Sequence, residues 1–459
     1  MQINKIGSLQ INLIKKCKKF ILQQKKIDVD VSRNPSCYLP GWSKEYGNFV
    51  LKSLTNKNNK IEKIYHNLKE IFKYYKFSNI EVFNENIKKV FFKRLVITWG
   101  LSSDFKNNQN YFDRYFSMKA KDNKDTLWIV IFADNKMEIP KSYDNNVIIV
   151  KNRSGKFTKF LFSAFLIIFK SIFAITKNEQ NKLNSKYLNG CKFDEKLKDC
   201  ITHILETYKI KQVLLPYECQ PFQNFLFKEM HRKYPKIVTI GYIHSALPPL
   251  PTDFIKREGS PKFLLVHGKD QKKILVEKLG WKSKEVFEKK SMRYRNFSKV
   301  NFFNKIFLPM SFENDKLILD SFENYLSLSK NLSLPNLKIR NHPVMKTSKK
   351  HLLLIKKIQH LIRKYENKFS KKKKIKKVSI FVSATAAIIE ALERGVDVIH
   401  IFSQPIYESH NSKIWKNLKV TFISDNVFRY KLKKYGKYID FGNKNKTLNR
   451  WLNNKNFIK

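Results

Sequence analysis

The chain has 459 residues, 42% of them hydrophobic and 14% aromatic, which excludes a disordered protein and exceeds what one ordinary core holds. Its formal net charge is +53, yet only 13 of the 91 basic residues are arginines. Nucleic-acid readers use arginine on recognisable modules, and we find no zinc-finger spacing, ribonucleoprotein motif or helix-turn-helix signal. The charge therefore indicates a lysine-coated surface, which would also attract anionic lipid or phosphate.

The cysteines and the N-terminal residues bear on where the protein works. Five cysteines, an odd number without a CxxC pair, favour a reducing cytoplasmic setting. The first 26 residues lack a small-residue cleavage site, so we do not expect a signal peptide. They are expected to form an ordinary surface helix or a basic amphipathic helix resting on an anionic membrane. Residues 1–90 as a whole are predicted to be a helical N-terminal extension.

Strands alternate with helices from residue 91 onward. The predicted strands are short runs rich in β-branched and aromatic residues, RLVITWG (94–100), LWIVIFAD (127–134), NVIIV (146–150), QVLLPYE (212–218), IVTIGYIH (237–244) and KFLLVHG (262–268). Helices are expected at residues 194–208, 222–234 and 270–281. This alternation predicts a Rossmann-like domain over residues 91–290.

One apolar segment, residues 157–175, calls for a membrane test. Lys159 and Lys170 interrupt it, and a bilayer span takes about 20 predominantly apolar residues. Two interpretations stay open: a buried helix, or an interfacial helix that enters one leaflet.

A second alternating series begins near residue 304. Its predicted strands are KIFLPM (305–310), NLKIRNHP (336–343), VSIFVS (378–383), VDVIHI (396–401) and KVTFIS (419–424). A helix over residues 384–393 is expected to be capped by Ser383 or Thr385 and to end at Gly395. The pattern predicts a second Rossmann-like domain over residues 304–459, so the fold class is α/β with two doubly wound domains facing a cleft.

The second domain presents candidate phosphate ligands where its strands end. Arg340 and His342 follow one strand, and Ser383 and Thr385 follow another at the start of a helix. A cation, an imidazole, two hydroxyls and a helix N-terminus suit a phosphate group. The alternatives are a turn histidine bonded to backbone and a plain helix cap.

Three further residues are candidates. Glu218 and His244 each end a strand of the first domain, where either could take a proton from an attacking hydroxyl; Glu218 could equally cap the next helix. Glu390 lies two helical turns after Ser383 on the same face and could reach a ligand or a backbone partner. Ser311, just after KIFLPM, is another candidate ligand contact.

Rival catalytic motifs are absent from the sequence or weak. It has no GxxxxGK[ST], no GxGxxG after a strand, no HExxH and no serine elbow. A DVD at residues 28–30 follows a lysine-rich segment and not a sheet strand, so we predict no metal site.

Several motifs resemble a known superfamily. NHP (341–343) followed by SATAAIIEALERG (383–395) resembles the second domain of GT-B glycosyltransferases that make bacterial surface polysaccharides, including the capsule and the sialic-acid or Kdo transferase groups. TWG (98–100), YFDRYF (111–116), YECQPFQ (217–223) and TIGYIHSALPP (239–249) resemble surface carbohydrate or O-antigen biosynthesis proteins.

This resemblance implies a GT-B-like transferase of the inverting type. His342 and Ser383, with Thr385, would hold the phosphate of a nucleotide sugar without metal or another cofactor, and Glu218 or His244 would be the base. The residue 91–290 domain would then bind the acceptor, a glycan or a lipid-linked sugar, and the residue 304–459 domain the donor. We expect a cytoplasmic protein that contacts the inner face of the plasma membrane and binds no nucleic acid.

Two other function classes remain open. A noncatalytic scaffold of polysaccharide assembly would keep the fold but transfer no sugar. A nucleic-acid-binding protein would show steeply salt-dependent binding to generic RNA or DNA.

Overall fold

A computed structural model describes residues 3–24, 79–84, 87, 91–106, 110–132, 138–153, 161, 162, 165, 169, 192–295, 301–310, 312, 314–328, 337–342, 345–365 and 378–441. In this part of the chain the elements form two large sheets, one in each half.

The described residues of the first half form eleven strands and four helices. The strands are β1 (Asn79–Phe83), β2 (Arg94–Trp99), β3 (Phe105–Lys106), β4 (Asn110–Asp113), β5 (Met118–Lys119), β6 (Thr126–Phe132), β7 (Val147–Arg153), β8 (Gln212–Pro216), β9 (Val238–Tyr242), β10 (Phe263–Val266) and β11 (Val286–Glu288). The helices are α1 (Ile3–Gln24), α2 (Lys192–Thr207), α3 (Pro221–Lys233) and α4 (Lys269–Leu279).

Eight of these strands form the first sheet, in the order β1-β7-β6-β2-β8-β9-β10-β11. Every neighbouring pair is parallel except β1 with β7. β6 is buried throughout, as expected for a parallel strand covered on both faces. Its side chains alternate between two hydrophobic clusters: Leu127, Ile129 and Ile131 belong to the cluster that also contains buried residues of α2 and α3, and Trp128 and Val130 belong to the cluster that contains residues of β3, β4 and β5.

The edge strand β1 lies inside residues 1–90, which the sequence pattern assigns to a helical extension. Because β1 pairs with β7 from Asn79 to Phe83, this part of the extension contributes to the first sheet instead. The helical prediction holds for α1, which packs against α4.

The second half forms six strands and four helices over its described residues. The strands are β12 (Lys305–Phe307), β13 (Lys338–Arg340), β14 (Val378–Val382), β15 (Asp397–Ile401), β16 (Leu418–Ser424) and β17 (Val427–Leu432). The helices are α5 (Asp315–Leu328), α6 (Lys349–Tyr365), α7 (Ala387–Glu393) and α8 (Pro405–Glu408). The sheet order is β13-β12-β14-β15-β17-β16; its first four strands are parallel, and β17 runs antiparallel to β15 and β16.

Helices cover both faces of the second sheet. Ile318 of α5 and Leu354 of α6 pack with Ile380 on one face, and Ile388 of α7 packs in the cluster that contains Phe381 on the other. The predicted fold class, two α/β units with a helical N-terminal segment, is therefore confirmed.

Two segments join the halves. α1 packs against α4 of the first half and α8 of the second. The chain after β17 returns to the first half through residues 436–441, here called the crossing segment. In this segment Lys437 O accepts a hydrogen bond from Asp270 N at 2.9 Å, and Asp440 N donates to His267 O at 3.1 Å.

Candidate functional site

Two predicted residues of the first half are in direct contact. Glu218 follows β8 and His244 follows β9, and these strands are parallel neighbours. Glu218 Oε1 lies 3.1 Å from His244 Nε2, with the side chains 15% and 5% exposed, respectively. Adjacent parallel strands end at the same edge, so the sheet itself brings this carboxylate and imidazole together.

The loop between β8 and α3 fixes the position of Glu218. Gln220 Nε2 donates to Glu218 Oε2 at 2.9 Å, and Gln223 Oε1 accepts from the backbone N–H groups of Glu218 and Gln220 at 2.9 and 3.2 Å. Cys219 adopts φ 59°, a left-handed conformation that is uncommon for a residue with a side chain. Gln223 therefore serves the backbone donors at the start of α3, and the alternative prediction that Glu218 caps this helix is wrong.

His244 is suited to accept a proton. Burial lowers its pKa, the adjacent Glu218 carboxylate opposes that shift, and the charge of Arg293 lowers the pKa further. A neutral ring that donates from Nε2 to Glu218 keeps its lone pair on Nδ1. This Nδ1 is buried and has no hydrogen-bond partner among the described residues.

A turn in the YFDRYF motif places an aromatic ring against this histidine. Asp113 Oδ1 accepts hydrogen bonds from the backbone N–H groups of Tyr115 and Phe116 at 2.8 and 2.9 Å. The Tyr115 ring then meets the His244 ring edge to face, with centroids 4.6 Å apart. Burial and the Glu218 charge raise the pKa of Tyr115 to about 12, so this phenol stays protonated near neutral pH.

Sequence reasoning missed His267, the first residue after β10. Burial lowers its pKa to about 3. Its ring lies between those of Tyr242 and Tyr294, at centroid distances of 5.4 and 5.9 Å. Its place at the end of a predicted strand, in KFLLVHG, was the signal that could have identified it.

In the second half, Ser383 is engaged by a carboxylate that the sequence pattern does not indicate. Ser383 is 2% exposed, has φ 56°, and its Oγ donates to Glu408 Oε1 at 2.7 Å. α7 begins only at Ala387, with Ala386 at the N-cap position, so the prediction that Ser383 caps the helix is wrong. The left-handed conformation of Ser383 changes the direction of the chain between β14 and α7.

Thr385 makes the contact that most resembles a helix N-cap. Its Oγ1 accepts from the backbone N–H of Ala387 at 3.3 Å. Phosphate binding by Ser383 and Thr385 stays a prediction.

The other predicted donor ligands lie on β13 or just beyond it. Arg340 pairs with Phe307 of β12, and Phe307 also pairs with Phe381 of β14, so Arg340 and Ser383 follow strands separated by one neighbour. Because Arg340 is the last residue of β13 and Ser383 is the first residue after β14, that spacing is roughly 10 Å at the level of the sheet. Half-buried His342 has its pKa lowered by burial and by His351. Ser311 lies outside the described residues.

Glu390 connects the two halves electrostatically. Arg394 Nε and Nη2 donate to Glu390 Oε1 at 3.1 and 3.0 Å. Burial raises the pKa of Glu390, and the charges of Arg394, Arg293 and Arg340 lower it, in that order. Neither Arg293 nor Arg394 was predicted; Arg293 falls in the stretch that the pattern treats as a connection.

Over the described ranges, no three His, Cys, Asp or Glu side chains are grouped so that they could hold a metal ion. No helix in that part of the chain combines the length and apolarity needed to cross a bilayer.

A scan against known protein families gives no match, and neither does a search of curated proteins. Among solved structures, the chain is similar to a UDP-GlcNAc 2-epimerase from Neisseria meningitidis bound to UDP-GlcNAc (TM-score 0.35, 13% identity, 70% of this chain and 89% of that chain covered). It is similar to the UDP-N-acetylglucosamine 2-epimerase from Rickettsia bellii (0.33, 10%, 66% and 76%) and to the wall teichoic acid polymerase TagF (0.29, 11%, 75% and 78%).

Proposed function

We propose that this protein is a glycosyltransferase-like enzyme of bacterial surface polysaccharide assembly, of the O-antigen or capsule type. It moves a sugar from a nucleotide-sugar donor to a glycan or lipid-linked acceptor, with inversion and without metal. The observation that carries the proposal is the 3.1 Å contact between Glu218 and His244, which supplies a carboxylate-supported base at the end of the first sheet.

The proposed chemistry is one displacement at the anomeric carbon. His244 accepts the proton of the acceptor hydroxyl, and Glu218 stabilises the imidazolium that forms. The acceptor oxygen bonds to the anomeric carbon as the bond from that carbon to the donor phosphate oxygen breaks. Arg340, His342, Ser383 and Thr385 are the proposed groups that receive the departing phosphate.

A transfer assay tests the base. The protein is incubated with UDP-, CMP-, GDP- and CDP-linked sugars and a membrane-lipid extract as acceptor, and release of nucleotide is followed. We expect His244→Ala and Glu218→Gln to lower kcat by about 10²–10⁴. Glu229→Gln, which removes an α3 carboxylate that is paired with Arg232, is the matched control.

The pH profile separates this role from simple loss of folding. His244 must be neutral, so activity falls as pH drops through its pKa. Glu218 raises the pKa of His244, so the acid limb of Glu218→Gln shifts to lower pH. Transfer that survives both substitutions would reject the assigned base, and no transfer by the wild type to any acceptor would favour the noncatalytic scaffold.

Nucleotide binding tests the donor site separately. We expect His342→Ala to weaken binding of the preferred nucleotide, measured by titration calorimetry. Unchanged affinity would reject its assignment to the donor phosphate.

The proposed membrane contact is supported by an exposed apolar group. Leu161, Phe162, Phe165 and Phe169 are helical and are 52%, 67%, 66% and 52% exposed. This exposure favours the interfacial interpretation of residues 157–175 over the buried one. On a chain of charge +53, it suits the anionic cytoplasmic leaflet. We expect sedimentation with phosphatidylglycerol vesicles to fall in Phe162→Ser/Phe165→Ser; unchanged sedimentation would reject this contact.

A further inference from the structure

The candidate base is covered in this structure. His244 is buried, its Nε2 lies 3.1 Å from Glu218 Oε1, and its Nδ1 is buried without a hydrogen-bond partner among the described residues. A general base must come within about 2.6–3.2 Å of the group whose proton it takes, or reach it through one water. Neither ring nitrogen is open to a substrate, so a neighbouring side chain has to move before His244 can act.

Two neighbours of the imidazole are held in place. Glu218 is fixed by hydrogen bonds: Gln220 Nε2 donates to its carboxylate at 2.9 Å, and Gln223 Oε1 accepts from its backbone N–H at 2.9 Å. His267, which follows the adjacent strand β10, is 1% exposed. Displacing either side chain would disturb the end of the first sheet.

The Tyr115 side chain is held less firmly than these two. Its ring meets the His244 ring edge to face at 4.6 Å, and Arg293 Cζ lies 5.8 Å from its centroid. Tyr115 is partly exposed, and over the described ranges it hydrogen-bonds through its backbone N–H and not through its hydroxyl. Ring contacts of this kind are weak, and partly exposed side chains change rotamer rapidly. The Tyr115 ring can therefore leave His244 without breaking a side-chain hydrogen bond.

The backbone that carries Tyr115 is fixed on both sides of this residue. Asp113 Oδ1 accepts from the N–H groups of Tyr115 and Phe116 at 2.8 and 2.9 Å, and the Phe116 side chain is buried. Ser117 Oγ donates to Met292 O at 2.6 Å. The turn between β4 and β5 is thus anchored, and the part that can move is the Tyr115 side chain.

We propose that Tyr115 is a side-chain gate over His244. In the closed position the ring excludes water from the imidazole, and rotation of the ring away from His244 admits the group whose proton His244 takes. The turn between β4 and β5 stays in place throughout. The existence of the gate can be tested without an activity assay, whereas its use in catalysis rests on the proposed function.

Chemical modification of the wild-type protein measures how often His244 is uncovered. Diethyl pyrocarbonate reacts with the neutral imidazole ring, and peptide mass spectrometry gives the rate at each histidine. His203, which is exposed on α2, is the open reference, and His400, which is buried in β15, is the closed reference. We expect His244 to react at a rate between these two, because the gate opens transiently. A rate equal to that of either reference would overturn the proposal.

Substitutions show whether the Tyr115 ring is the gate. Tyr115→Ala should raise the modification rate of His244 by about tenfold or more, because the closed state is lost. Tyr115→Phe keeps the ring and should react as the wild type does. Tyr143→Ala is the matched control, since Tyr143 is another partly buried ring of the same hydrophobic cluster and lies 5.9 Å from Phe105. Equal rates in Tyr115→Ala and Tyr143→Ala, or an equal rise at His400 in Tyr115→Ala, would reject the gate.

The pH profile of transfer gives a second measurement. Burial lowers the pKa of His244, the Glu218 carboxylate raises it, and Arg293 lowers it. His267, whose pKa burial lowers to about 3, stays uncharged near neutral pH. Tyr115→Ala admits water and leaves both charges in place, so the pKa of His244 should rise and the acid limb should move to higher pH, opposite to Glu218→Gln. An acid limb that does not move would show that the ring does not shield the base.

Modification and transfer together separate this inference from the proposed function. Faster modification of His244 in Tyr115→Ala, with no transfer by the wild type to any acceptor, would support the gate and count against a transferase. Transfer that depends on His244, with no change of its modification rate in Tyr115→Ala, would overturn the gate and leave the proposed function standing.

Discussion

Asp113 is a buried carboxyl group that acts on the candidate base through its neighbour. It binds the backbone of Tyr115 and Phe116, and this turn sets the Tyr115 ring against His244. Burial raises the pKa of Asp113 from 3.8 to about 6, although the two backbone N–H groups favour the charged form. Asp113 therefore orients the Tyr115 ring, and burial favours the protonated form of its carboxyl group.

This pKa predicts a pH-dependent stability. The folded chain holds the Asp113 proton up to about pH 6, whereas the unfolded chain releases it near pH 4, so the free energy of unfolding falls as pH rises between these values. Asp113→Asn keeps an oxygen for both backbone donors and cannot ionise. We expect its free energy of unfolding, relative to the wild type, to rise by about 2–3 kcal/mol from pH 4 to pH 7 in denaturant titrations. A difference that is constant with pH would show that Asp113 ionises freely.

At the scale of elements, the hydrophobic pattern predicted the buried parallel strands and both edge strands of the second sheet, but it missed β1 and β17. β6 and β14 are continuous apolar runs buried on both faces, so their sequences alone identify them. β1 (NIEVF) and β17 (VFRYKL) carry charged residues and pair antiparallel, and they were missed. Charged residues interrupt the apolar residues of both strands, which weakens the hydrophobic signal.

The sequence also predicted some residues of the candidate site and missed others. Glu218 and His244 were predictable because both follow apolar strands that are neighbours in the sheet. The capture of Ser383 by Glu408 was not, because it depends on how α8 packs 25 residues further along the chain. Arg293 was missed because its place beside Tyr115 and Tyr294 is determined by tertiary contacts and not by a local pattern.

α1 supports the short helix that carries Glu408. Gln10 is fully buried, and its Nε2 donates to Ile406 O at 2.9 Å and to Ser409 O at 2.8 Å. We expect Gln10→Leu to lower the free energy of unfolding by about 1–3 kcal/mol, because two carbonyl oxygens lose their donor in a buried seam. Hydrogen exchange at residues 405–411 should rise with it. Asn12→Leu, on the exposed side of α1, is the matched control, and equal effects of both substitutions would show that the Gln10 contacts carry no stability.

At the scale of the whole molecule, the crossing segment connects the two halves, and the Glu393 carboxylate binds the backbone of that segment. Glu393 Oε1 accepts from the backbone N–H groups of Lys437, Tyr438 and Ile439 at 3.1, 2.7 and 3.2 Å, and Oε2 accepts from Gly436. On the other side, a Cβ added at Gly268 would lie 2.3 Å from Lys437 O, so a side chain there would push the segment away from the first half. Glu393 and Glu390 share α7, so the same helix carries the carboxylate that binds the crossing segment and the carboxylate that pairs with Arg394.

We expect that weakening the contact between Glu393 and the crossing segment loosens the packing of the two halves and leaves both sheets intact. Glu393→Gln has one oxygen acceptor where the carboxylate has two, and its bonds are no longer charge-assisted, so we expect a loss of about 1–3 kcal/mol in the free energy of unfolding. Amide exchange at residues 436–439 should rise more than exchange in β6 or β14. Gly268→Ala should raise exchange at the same amides from the opposite side, whereas Glu258→Gln, a half-exposed carboxylate, should leave it unchanged. If amide exchange rises uniformly over both sheets in Glu393→Gln, the carboxylate stabilises the whole fold and does not specifically stabilise the packing of the crossing segment.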